Sequence, residues 1–72
     1  MCKNILVADD DTGMRSLYSR LFSEQDYAVT LAGSFAEASC LINANNYDLL
    51  ITDLMFPDGL GTELIRLFNK KC

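Results

Sequence analysis

The sequence predicts an α/β fold: a doubly wound parallel sheet of strand order 2-1-3 with helices on both faces. Three observations predict it. Short apolar runs at residues 5–8, 28–32 and 49–52 have the length and composition of strands. Each is followed by apolar residues at helical spacing. Acidic residues stand directly after the first and third runs, Asp9 and Asp10 in one case and Asp53 in the other.

Ile5-Leu6-Val7-Ala8 is unbroken, as suits a strand covered on both faces. Met14, Leu17, Tyr18, Leu21 and Phe22 fall at i, i+3, i+4, i+7 and i+8, one face of an amphipathic helix. Asp11 or Thr12 is its N-cap. In the second strand, Thr30 between Val29 and Leu31 marks a less buried, edge position. Gly33 turns the chain, and Ser34-Phe35-Ala36-Glu37 is a capping box that opens the second helix. Phe35, Ala38, Leu41 and Ile42 give that helix its buried face, and Asn43, Asn45 and Asn46 favour its end. The third strand reaches Asp53 and breaks into a loop marked by Pro57, Gly59 and Gly61. Leu64, Ile65 and Phe68 mark a third helix ending near Lys71. Lys70 and Lys71 complement a helix C-terminus.

The order is βαβαβα, and helical connections between strands require a parallel sheet. Parallel crossovers are right-handed, so a central first strand with the others on either side sends the two connecting helices to opposite faces. The crevice of such a sheet lies between strands 1 and 3. Asp9, Asp10 and Asp53 then meet at one mouth. Three carboxylates that close repel one another, and a bound divalent cation removes the conflict. All-oxygen donors favour Mg²⁺ over zinc. The competing reading is that the acids after strand 1 only complement a helix N-terminus; Asp11 fits that role alone.

Composition narrows the classes. The chain has 72 residues, half of them hydrophobic, which describes a small folded unit and not a disordered tail. Net charge is −4 with no basic run, which argues against a nucleic-acid surface in this segment. No signal peptide or long apolar span is present, so no membrane contact is expected. Three cysteines, Cys2, Cys40 and Cys72, lack metal-type spacing and read as reduced thiols in the cytoplasm. There is no histidine. That excludes a histidine nucleophile, base or metal ligand within the chain.

With Ile5-Leu6-Val7-Ala8-Asp9-Asp10, then Met14-Arg15, then Asp53 with Pro57 and Gly61, the chain resembles the N-terminal part of a response-regulator receiver domain of two-component signalling. The resemblance runs over essentially the whole chain. It implies a truncated flavodoxin-like fold, with residues 1–72 a partial receiver domain of three βα units where the family has five. It implies that Asp53 is the nucleophile that accepts a phosphoryl group. It further implies that Asp10 ligates Mg²⁺ directly, Asp9 through water, and Met55 through its backbone carbonyl. The donor is then a histidine kinase or phosphotransfer protein, in keeping with the missing histidine. The family's Ser/Thr after strand 4 and Lys after strand 5 have no counterpart here, so phosphorylation is expected to be impaired.

In the complete family fold strand 3 is internal, and helix 1 shares its side of the sheet with helix 5. Here Leu49, Leu50 and Ile51 are expected on an open edge, with Leu21 and Phe22 uncovered. Such an edge invites pairing, and a homodimer is expected. Two alternatives come from other classes. One is a receiver-like dimerisation or binding module that is never phosphorylated. The other is a fragment of a haloacid-dehalogenase-type phosphatase, whose Asp-x-Asp opening Asp9-Asp10-Asp11 matches, with Asp9 as nucleophile and Asp11 as acid/base.

Overall fold

Four consecutive apolar side chains can all be hidden only if both faces of their strand are covered, and Ile5, Leu6, Val7 and Ala8 are each at most 1% exposed. They sit in the central strand of a computed structural model that describes residues 3–71. Cys2 and Cys72 lie outside the described residues. The elements are β1 (Lys3–Ala8), α1 (Thr12–Ser23), β2 (Tyr27–Ala32), α2 (Phe35–Ala44), β3 (Leu49–Thr52), β4 (Met55–Phe56), β5 (Gly59–Leu60) and α3 (Gly61–Lys71). The main sheet is parallel with order β2-β1-β3, as expected. Register is continuous across it: Ile5 stands beside Val29 and Leu49, and Ala8 beside Ala32 and Thr52.

The stretch after Asp53 is not a plain loop. Met55 pairs with Leu60 and Phe56 with Gly59 in a small antiparallel hairpin, β4–β5. Pro57 occupies its turn, where no ladder N–H is needed.

The first two helices each start on a capping side chain. Asp11 caps α1, its Oδ1 accepting from the amides of Gly13 (2.8 Å) and Met14 (3.3 Å). Ser34 caps α2, its Oγ accepting from the Glu37 amide at 3.1 Å. The Glu37 carboxylate reaches past the cap residue to the Gly33 amide, at 2.7 Å. Between α1 and β2 the chain turns through Asp26, whose φ of 62° lies in the left-handed region that Asp tolerates better than most residues. The Lys71 ammonium ends α3 but serves its neighbour. It donates to the carbonyls of Ile42 (2.7 Å), Asn43 (3.0 Å) and Asn45 (2.8 Å), closing the C-terminal end of α2.

The larger buried cluster lies on one side of the sheet. Leu6 and Ala8 of β1, Ala32 of β2, Ala38 and Ile42 of α2, Phe56 of β4 and Leu64 of α3 form one buried cluster, with Leu50, Leu67 and Phe68 packed against it. Ile5 and Val7 alternate with Leu6 and Ala8, so they face the other side of the sheet. There α1 rests on β2 and β1.

Candidate functional site

The C-terminal ends of β1 and β3 place the acids. The ladder runs one residue past the strands: the Asp9 amide donates to the Ala32 carbonyl and the Asp53 amide to the Ala8 carbonyl, both at 3.0 Å. Asp9 and Asp53 are therefore fixed in backbone position by the strands on either side. One carboxylate oxygen from each of Asp9, Asp10 and Asp53 lies within 4.8 Å of the others. Asp9 is half-buried, while Asp10 and Asp53 are exposed.

Neighbouring groups hold these acids in different ways. The Asp9 carboxylate accepts from the Asp11 amide at 2.9 Å, and the Asp9 carbonyl from Arg15 Nη1 at 2.6 Å. Arg15 thereby ties α1 to the end of β1. Its guanidinium occupies the space that a side chain on Gly33 would need. Asp53 Oδ1 accepts from the Leu54 amide at 3.0 Å, and the Thr52 hydroxyl donates to the Asp53 carbonyl at 2.9 Å. Asp11 stands outside this group of three: its Oδ1 serves as the α1 cap.

The backbone just beyond Asp53 is closely fitted. A Cβ on Gly61 would collide with the Asp53 carbonyl, and the Gly61 amide donates to the Leu54 carbonyl at 2.8 Å. Glycine is needed here for close approach and not for an unusual φ. Met55 lies in β4, its side chain exposed. Asp58, at the hairpin tip, accepts from the amides of Phe35 and Ala36 in the first turn of α2, at 3.0 Å each. These bonds, to Ala36 first and then Phe35, hold its carboxyl below the ordinary aspartate value. In the sequence this stretch reads as a loop marked by Pro57, Gly59 and Gly61, with no local signal that Asp58 has a partner on α2.

A parallel α/β sheet with an acidic cluster at the carboxyl ends of β1 and β3 defines a class of site. The response regulator receiver domain family matches this chain over residues 5–71, and the chain belongs to that family. Among curated relatives it is 36% identical over 67 residues to the DNA-binding transcriptional regulator NtrC of a Bradyrhizobium species, covering 93% of this chain and 14% of that protein. It is 36% identical to the transcriptional regulatory protein ResD of Bacillus subtilis, covering 93% of this chain and 28% of that protein. Among solved structures, the non-phosphorylated HemR receiver domain of Leptospira biflexa superposes with a TM-score of 0.86 at 33% identity, covering 96% of this chain and 56% of that one. A CheY-like receiver domain protein of Methanospirillum hungatei gives 0.92 at 30% identity, covering 99% and 57%. The chain thus spans little more than half the length of these receiver structures. No helix among the described residues is long and apolar enough to cross a membrane.

Proposed function

We propose that Asp53 accepts a phosphoryl group from a phosphohistidine of a histidine kinase or phosphotransfer protein, at a Mg²⁺ site formed by Asp9, Asp10, Asp53 and the Met55 backbone carbonyl. The observation that carries this reading is the convergence of the three carboxylates in a chain of the receiver family. The donors are all oxygen, which suits Mg²⁺. In this reading Asp10 and Asp53 would ligate the cation directly and Asp9 through water, from carboxylate oxygens that lie within 4.8 Å of one another.

In the step itself an Asp53 oxygen attacks phosphorus, the P–N bond of the donor breaks as the P–O bond forms, and the imidazole leaves and takes up a proton. The cation supplies charge neutralisation for the transferring group. Asp53 is exposed, so a partner's side chain can reach it. The donor histidine has to come from that partner, since this chain has none. In this reading the domain is a substrate of the transfer and not an enzyme, and it works in the cytoplasm.

A second reading is favoured by the open edge of β3 and the exposed face of α1: the chain associates as a homodimer. This segment is not assigned a nucleic-acid or membrane surface. Calorimetry tests the site. Mg²⁺ binding should be weak and should fall further in Asp10→Asn. Equal affinity in the variant and the parent would show the assignment to be wrong.

A further inference from the structure

We propose that Asp58 is a positioning residue of the metal site: it anchors the β4–β5 hairpin to the N-terminus of α2 and thereby sets the aim of the Met55 carbonyl. The proposal rests on the Mg²⁺ reading above and adds a residue to it. A main-chain ligand has no rotamer to adjust; only the path of its backbone can aim it. That path is a hairpin with two residues in each strand, too short to be stable by its own ladder. It is held from outside at three points.

At the base, Gly61 lies against the Asp53 carbonyl and its amide holds Leu54. In the middle, Phe56 is 7% exposed and packs into the core cluster. At the tip, both Asp58 oxygens are engaged, Oδ1 by the Phe35 amide and Oδ2 by the Ala36 amide. A carboxylate held by two helix-start amides is a charge-assisted, two-point anchor. Gly59, the next residue, lies so close to the Phe35 ring that a Cβ would collide with it, which keeps the tip flat on α2. Removing Asp58 leaves the base and middle in place and frees the tip, and the backbone of Met55 loses one of its three fixings.

The test measures Mn²⁺ affinity by the electron paramagnetic resonance signal of the free ion, and thermal stability by circular dichroism. The parent is compared with Asp58→Ala, Asp58→Asn and Ser34→Ala. Asp58→Ala should weaken Mn²⁺ binding by about tenfold, as loss of outer-shell support does elsewhere. Asp58→Asn should retain part of the affinity, because its amide oxygen still accepts one N–H. Ser34→Ala removes the other cap of the same helix; it should lower the melting temperature and leave Mn²⁺ affinity unchanged. Parent-like binding in Asp58→Ala overturns the proposal. So do equal losses in the Ala and Asn variants, which share only the lost charge, or an equal loss in Ser34→Ala, which would be a general effect of destabilisation. A parent chain that binds no Mn²⁺ overturns the metal reading, and this proposal with it; a parent that binds while Asp58→Ala matches it overturns this proposal alone.

Discussion

On the side of the sheet under α2 and α3, Ile42, Leu64 and Ala38 are at most 1% exposed and pack on Leu6 and Ala8. On the side under α1, the helix has no buried residue. Leu17 is 52% exposed and Leu21 48%, although both belong to its apolar face. The two sides use alternate residues of the same strands, so strand composition does not explain the difference. The number of helices does. α2 and α3 cover each other as well as the sheet, while α1 lies on β2 and β1 and has no helix beside it among the described residues. It touches the sheet side through a ring cluster: Tyr18 stacks on Phe22 at 6.3 Å, and Phe22 meets Tyr27 edge-on at 5.7 Å. Below these rings, Phe22, Tyr27, Ile5 and Leu49 line an open groove of about 290 Å³.

The acidic site is supported from the closed side. Phe56, three residues past Asp53, enters the α2–α3 core, and Leu64 anchors α3 beneath the hairpin. The open side contributes Arg15, through its bond to the Asp9 carbonyl. Damage to the closed side should therefore reach both fold and site, and damage to the open side should reach mainly association.

The largest expected effect is a contrast between core truncations. Leu64→Ala or Ile42→Ala removes a fully buried side chain and should cost about 2–5 kcal/mol, enough to unfold much of a domain this small. Leu17→Ala or Leu21→Ala should change stability by roughly 0.5 kcal/mol or less at low protein concentration. Urea melts followed by circular dichroism compare them. Equal losses on the two sides would mean that α1 is covered in solution.

A smaller effect sharpens the same contrast. The apolar face of α1 and the edge of β3, where Leu49 is 46% exposed, should bring two copies together. Analytical ultracentrifugation at micromolar concentration should find a dimer, and Leu49→Lys should shift it toward monomer. A compact, cooperatively melting monomer in the parent chain contradicts the expected association.

The smallest effect concerns acid. The folded pKa of Asp58 is depressed by the Ala36 and Phe35 amides. Its contribution is present above the unfolded value of about 3.9 and is lost as pH falls through the lower folded value. Asp58→Asn should melt below the parent at neutral pH, and the gap should close as pH is taken downward from about 4. A gap that stays constant in acid would show that the carboxylate's charge has no part in holding α2.

Much of this architecture was legible in the sequence, for identifiable reasons. The unbroken run 5–8 and the five spaced residues of α1 are periodic signals, and both elements formed where expected, with β1 starting earlier, at Lys3. Asp9, Asp10 and Asp53 were legible because they follow strands. The hairpin was not, since two-residue strands around a proline are too short for any periodicity. Its support is tertiary: Phe56 in the core and Asp58 on α2. Lys71 reads as complementing a helix C-terminus, and it does, but the helix is α2, a pairing that exists only once α2 and α3 pack. The spacing in α1 reports a face that needs cover. It carries no information on whether cover is supplied.

The central claim is that the three acids form a cation-assisted phosphoacceptor site with Asp53 as its nucleophile. Mass spectrometry with peptide mapping, after incubation with acetyl phosphate with and without Mg²⁺, tests it most directly. An adduct should form on Asp53 alone, depend on Mg²⁺ and be absent from Asp53→Asn and Asp10→Asn. An adduct on Asp9, or one on Asp53 that forms equally well without the cation, would contradict it.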